Sequence, residues 1–338
     1  MGENQRAARG SSWYAPRVED VETLRARVER IAHGEGKSPL ARALLGLSAL
    51  PLLLGRTRAR RLSLPSAARI VTVGGASLGG SGKTPLAVAC ARFLASEGAR
   101  VTFVGHAYGA RPRVALEVDE DTHLSVSGDE ARVAYRQLRS AGVRVVVGPT
   151  RADAMRYAAS TSDVLVVDGG LGLPATLSLL AIGPEDGDLA VALLARRADR
   201  VVPTVASSRV EAIDGDGLDV PLAGLRYGLV TAVARPGRVV RSLAPHPPVV
   251  HLSLGNHAAH APHAVLDELT KRHGLDAWLA TEKGPLAPGA RVGAKPVHFL
   301  RHTIRLSPDV SEFLRQRVLG DGRTAVPPGR TQGAVVSV

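Results

Sequence analysis

The chain has 338 residues, enough for two modest domains or for one large core with an appendage. Hydrophobic residues make up 45% and aromatics only 3%, so the core must be built from Ala, Val and Leu. The one cysteine, Cys90, excludes an intrachain disulfide and a thiolate zinc cluster, while a formal net charge of +12 suits an anionic partner or a plain solvated basic surface.

Residues 1–36 read as a polar lead. Met1 to Glu35 has no early apolar core of the kind a signal peptide needs. Val18 to Ile31 has helical spacing with many charges, ended by Gly34 and Gly36. From Lys37 to Arg69 there are seven basic residues and no acidic ones. Inside this stretch, Ala43 to Leu54 is an uncharged, leucine-rich run of twelve residues interrupted by Pro51. A bilayer span needs about 20. Segment 37–68, with Arg42, Arg56, Arg58, Arg60 and Arg61 around the run, suits an interfacial anchor on an anionic membrane. It also fits a helix packed on the core with a basic rim.

The pattern then becomes α/β. Strand runs at Arg69–Val73, Arg100–Gly105, Val143–Val147 and Val164–Val167 alternate with helical runs at Thr84–Glu97, Gly128–Ala141 and Arg151–Ser160. Alternation of this kind predicts a mostly parallel sheet with helices on both faces, and ligands at the carboxyl ends of its strands. Residues 69–203 form this core. After Val202 the texture changes: Asp214–Gly217 reads as a loop, and Tyr227–Val233, 249–254, 277–281 and 297–299 as short strands. A smaller α/β domain is expected over 204–318, and a disordered Gly-, Pro- and Arg-rich tail over 319–338.

Between the first strand and the first helix lies Gly74-Gly75-Ala76-Ser77-Leu78-Gly79-Gly80-Ser81-Gly82-Lys83-Thr84-Pro85. Glycines let the backbone curl so that its amides face a phosphate, and the helix N-terminus adds partial positive charge. The fold class is therefore of P-loop NTPase type. Gly79, Gly80, Ser81, Gly82, Lys83 and Thr84 would bind ATP, with Lys83 on the β- and γ-phosphates and the Thr84 hydroxyl on Mg2+. Ser77 stands where the strict pattern has glycine. Asp168, ending an apolar strand, occupies the Walker B position and is the second candidate for Mg2+; a strand-ending turn is the plainer role. Asp129 could be a catalytic base or a helix N-cap. Cys90, inside the first helix, is expected to be packed rather than reactive. His251, His257, His260 and His263 cluster, but Pro262 and the small alanines favour a loop over a metal site. No convincing guanine-reading N-K-x-D motif is present, and no recognisable nucleic-acid module, so no nucleic acid is expected as a partner.

The loop G-x-x-S-x-G-G-S-G-K-T-P resembles that of the tetraacyldisaccharide 4'-kinases, the lipid A 4'-kinases, which reads G-N-x-T-x-G-G-T-G-K-T-P. Other stretches follow in the family's order. Gly105-His106-Ala107-Tyr108-Gly109 is similar to S-R-G-Y-G, Gly128-Asp129-Glu130 to G-D-E-P, and Val147-Gly148-Pro149-Thr150-Arg151 to V-G-P-D-R. Asp168-Gly169-Gly170-Leu171 sits where the family has D-D-G-L-Q-H. Ala232 to Leu243, with Arg235-Pro236 and Arg238, resembles G-I-G-N-P-E-R-F; Asn256-His257 resembles part of D-H-H, and Thr281-Glu282-Lys283 part of T-E-K-D. The resemblance runs from about residue 38 to 300.

It implies a kinase, peripheral on the cytoplasmic side of the inner membrane, that moves the γ-phosphate of ATP to the 4'-hydroxyl of a lipid A disaccharide precursor or a related glycolipid. It also implies that Asp129 and His257 pair as the proton-accepting unit beside Lys83. Several family groups are absent here: Gly169, Gly172, Leu173, His106, Asn256, Ala258 and Gly284 replace charged or polar residues. The alternative reading is a divergent or inactive nucleotide-binding relative with a regulatory or scaffolding role. Because Lys83, Thr84, Asp129, Asp168 and His257 survive together, the active enzyme is the expectation.

Overall fold

The computed structural model describes residues 19–22, 68–77, 80–105, 110–184, 186–204, 208–256, 258 and 260–320. The apolar run at 43–54, the motif residues 106–109, Gly79, His257 and the tail beyond Gly320 lie outside them.

Two seven-stranded sheets organise the described residues. The first contains β2 (Arg69–Gly75), β3 (Val101–Val104), β4 (Leu116–Glu117), β5 (Arg144–Val147), β6 (Val164–Asp168), β7 (Leu177–Ile182) and β8 (Arg200–Pro203), in the order β4-β5-β3-β6-β2-β7-β8. Every pairing in it is parallel except that of the short edge strand β4 with β5. Its helices are α1 (Lys83–Ser96), α2 (Asp129–Leu138), α3 (Arg151–Ala159) and α4 (Asp188–Ala195). The period-two alternation of the strands sets the layers. Val71, Val73, Val164 and Val166 turn to one face, where they meet Leu86, Cys90, Ala91 and Leu94 of α1 and Ala131, Ala134 and Leu138 of α2. Leu165 and Val167 turn to the other face and pack on Ala154, Met155 and Ala158 of α3. The small side chains of α1 allow it to lie close to the sheet.

The second sheet contains β1 (Glu19–Glu22), β9 (Ser208–Ile213), β10 (Tyr227–Thr231), β11 (Val250–Ser253), β12 (Ala277–Thr281), β13 (Arg291–Val292) and β14 (Lys295–Ile304). Strands β1, β11, β10, β12 and β14 run parallel in that order, and β9 and β13 pair antiparallel with β14. Helix α5 (Pro236–Ser242) covers one face and α6 (His263–His273) the other. Trp278, fully buried on β12, lies over Gly228, where an added Cβ would come within 2.5 Å of the indole. Its Nε1 donates to Thr270 Oγ1 of α6 at 2.8 Å.

Two expectations need correction. Glu19–Glu22 is not helical: it is a strand in parallel register with β11, Glu19 opposite Val250. Over these four residues the helical spacing is overridden by pairing at a sheet edge, and the rest of the Val18 to Ile31 run lies outside the described residues. The stretch after Ile304 does not share the second core, as the 204–318 assignment implies. Helix α7 (Pro308–Leu314) and the π turn Arg315–Leu319 return to the first unit, where Val310, Leu314 and Val318 join the core around α1. Arg315 there holds Glu97 through two hydrogen bonds of 2.9 and 3.0 Å.

Candidate active site

The register between β2 and β6 places Val73 opposite Asp168. The loop that follows β2 therefore starts beside the carboxylate that ends β6. Gly82 closes this loop in the left-handed region, φ 80°, where a side chain would be strained and where its Cβ would also strike Thr204. Among the described residues no side chain caps the α1 N-terminus that follows, and its first turn holds no acid. That end is left to accept an anion.

Thr84 Oγ1 donates to Asp168 Oδ2 at 2.6 Å. Asp168 is buried, and its Oδ1 has no hydrogen-bond partner among the described residues. Burial pushes this carboxyl above the usual carboxylate range, and Glu130 adds to the rise; the Lys83 ammonium, the Thr84 hydroxyl and the Arg151 guanidinium act against it. A buried carboxylate oxygen without a partner is costly. Two hard oxygen donors side by side, one of them unsatisfied, fit a magnesium ion.

Gly169, in the position of the family's second aspartate, faces Arg151. A Cβ there would lie 2.5 Å from Arg151 Nη2, while Arg151 Nε donates to the Asp168 carbonyl oxygen at 2.8 Å. In this chain the guanidinium fills the space beside Asp168.

Between the two sheets lies a cleft of about 610 Å³, lined by Lys83 and Thr84 on one side and by α5, Asn256, Thr281–Lys283 and His302 on the other. With Arg235 offset by Asp186, its remaining cationic lining residues, Lys83, Arg238, Arg241 and Lys283, still outnumber Glu130 and Glu282, which suits a polyanionic ligand. Polar contacts bridge it. Lys283 Nζ pairs with Glu130 at 3.1 Å, and Gln137 Nε2 donates to Glu282 Oε2 at 2.6 Å; on the second unit's own side Arg301 Nε pairs with the same Glu282 at 3.1 Å. His302 Nε2 lies 2.9 Å from Ser208 Oγ, and burial, then the Arg238 charge, holds its pKa below the ordinary 6.5.

Among the residues singled out from sequence, the structure brings Gly80, Gly82, Lys83 and Thr84 to the cleft and Asp168 to Thr84. Ser81 is buried in the loop, its carbonyl accepting from Thr204 Oγ1 at 3.0 Å. Asp129 is the first residue of α2, directly before the cleft-lining Glu130, and its Oδ1 accepts from the Glu130 amide at 2.8 Å. The cap position itself belongs to Gly128. Gly79 and His257 lie outside the described residues. His251 is buried on β11, 2.9 Å from Thr231 Oγ1, and His263 opens α6. Among the described residues no group of three or more His, Cys, Asp or Glu side chains is placed to hold a metal ion. Sequence reasoning missed Asp186, Thr204, Gln137, Arg301 and His302. Arg235, Arg238, Glu282 and Lys283 were visible only as parts of motifs, with no role attached.

The chain is similar to proteins of known kind. The family model described as LpxK, tetraacyldisaccharide-1-P 4'-kinase, matches residues 40–175. A tetraacyldisaccharide 4'-kinase of Methylobacterium radiotolerans is 29% identical over 316 residues, covering 82% of this chain and 94% of that protein. One from Neisseria gonorrhoeae is 26% identical over 308 residues, covering 79% and 86%. Among solved structures, LpxK from Aquifex aeolicus in complex with ATP is similar in fold, with a TM-score of 0.60 at 20% identity over 82% of this chain and 99% of that one.

Proposed function

We infer that this chain, similar to the tetraacyldisaccharide 4'-kinases, is an ATP-dependent kinase that phosphorylates the 4'-hydroxyl of a lipid A disaccharide precursor. The observation that carries the chemistry is the contact between Thr84 and the buried Asp168 at the foot of the P-loop, beside a basic cleft between the two sheets.

Each residue then has a task. Loop amides and the α1 N-terminus hold the donor phosphates, and Lys83 offsets their charge. Thr84 and Asp168 are the residues that would hold magnesium, which when bound neutralises charge on the triphosphate. Asp129, with His257 as its partner, takes the proton of the acceptor hydroxyl. The acceptor oxygen bonds to the γ-phosphorus as the bond from that phosphorus to the ADP oxygen breaks. Arg151, in the space beside Asp168, supplies positive charge where the family carries an aspartate. Membrane contact belongs to the same reading: its support is the acid-free basic segment 37–68, and no described helix is long and apolar enough to cross a bilayer. The protein would act peripherally on the cytoplasmic face of the inner membrane, where its lipid substrate meets ATP.

The test is transfer of label from ATP to a tetraacyldisaccharide 1-phosphate by purified protein with magnesium. Lys83→Ala should weaken ATP binding and abolish transfer. Asp129→Asn and His257→Ala should each slow transfer by about 100-fold or more with ATP binding kept. The double variant should be little worse than either, as for residues that act as a unit. Transfer undiminished in Lys83→Ala would remove this reading.

A further inference from the structure

Arg235 is 4% exposed, although it begins a helix of the second unit and lines the cleft. Its Nη2 donates to Asp186 Oδ1 at 3.2 Å and to Ser77 Oγ, on the P-loop, at 3.3 Å. Asp186 is buried too, and its Oδ2 accepts from the Gly183 amide at 2.8 Å. The Arg235 stem crosses the loop so closely that a Cβ on Gly80 would lie 2.6 Å from its Cδ. One turn on, Arg238 Nη1 donates to the Gly80 carbonyl oxygen, and its guanidinium lies against Gly183. Ser77 and Gly80 of the P-loop are thus held from the second unit by two arginines, both of them braced on the β7–α4 loop.

We propose that Arg235, locked by Asp186, is a positioning residue that sets the P-loop in its phosphate-binding shape from the opposite unit. The inference rests on the reading of this loop as an ATP site. Charge decides between positioning and direct phosphate binding. A guanidinium with no anion beside it would be drawn to the triphosphate, but this one already faces a buried carboxylate. Its positive charge is offset, so what reaches the loop is a rigid hydrogen-bonding fork and a packed stem. A cradle for phosphate works only if its amides are held within about 0.5 Å of the productive geometry. An arc containing glycines cannot hold itself that closely, and Arg235 with Arg238 supplies the constraint.

Removing one partner of a buried ion pair leaves the other exposed to an apolar site, so single neutral variants can fail to fold. The informative variants are therefore Arg235→Lys, which keeps the charge opposite Asp186 without the fork to Ser77, and the double variant R235Q/D186N, which removes both charges. Titration of the purified full-length proteins with ATP and magnesium, with melting temperature as a second readout, separates the roles. Positioning raises the ATP Kd and KM by roughly 10-fold or more in both, about 1.4 kcal/mol, with a smaller rise for Ser77→Ala. The ATP-induced rise in melting temperature should shrink accordingly, while kcat at saturating ATP changes by less than about 3-fold, because ground state and transition state lose the same contact. A double variant that melts lower but binds ATP like the wild type overturns the inference and leaves the kinase reading intact. A wild type that binds no ATP overturns both.

Discussion

At the scale of single residues, burial decides which groups stay chemically silent. Cys90 is fully buried in α1, and desolvation pushes its thiol up to about 12. A thiol in that state has almost no thiolate near neutral pH. Native protein should therefore fail to react with a thiol reagent such as DTNB and should release one equivalent on unfolding; rapid labelling of the native state would contradict the packing described. His302 makes the opposite kind of statement. Its folded pKa lies below 6.5, first through burial and then through Arg238. As pH falls past about 6.5 the unfolded chain takes up the proton first, so the stability of the neutral form is present above that value and is lost as pH falls through the folded value. His302→Gln should flatten part of the fall in melting temperature between about pH 7 and pH 5. His298, also held low by burial, keeps a remnant of the slope. Equal slopes in both proteins would rule His302 out. Asp168 was legible in the sequence because an apolar strand ended on an acid. The Arg235–Asp186 pair was not: its members are 49 positions apart, and only the apposition of two loops joins them.

At the scale of elements, what could be read was the strand–loop–helix alternation of the first unit, where apolar runs rich in valine alternate with Ala-rich helices. The misses have physical causes. Leu177–Ile182, strand β7, is Leu-Ser-Leu-Leu-Ala-Ile, a composition at home in a helix, and only its pairing between β2 and β8 makes it a strand. Glu19–Glu22 has three acids in four residues and is a strand only through its register with β11. Helix α7 is too short for its destination to be read from its spacing. That destination gives an element-level expectation: Leu314, fully buried against the α1 core, should cost about 2–5 kcal/mol when cut to alanine. Denaturant unfolding should show a lower midpoint at unchanged slope. A loss under about 0.5 kcal/mol, the size usual for surface positions, would mean that the C-terminal return contributes little.

At the scale of the whole molecule, the net charge of +12 and the basic stretch before β2 bear on where the enzyme works. Each basic residue near an anionic surface adds about 1 kcal/mol at low salt. Replacing Arg42, Arg56, Arg58, Arg60 and Arg61 by glutamine should sharply reduce flotation with anionic vesicles, and raised salt should do the same to the wild type; equal flotation of both proteins would exclude an anchor there. Substitution is the cleaner design than truncation, since removing everything before β2 would also strip β1 from the second sheet. That strand has a consequence for how the protein is made. Proteins leaving the ribosome commonly fold their earliest domain while later ones are still being translated. Here the first described strand must wait for β11, and the core under the P-loop is not closed until Leu314 and Val318 have been synthesised. A truncated translation product would therefore lack a finished nucleotide cradle, and ATP binding becomes a mark of a chain translated at least through its C-terminal return.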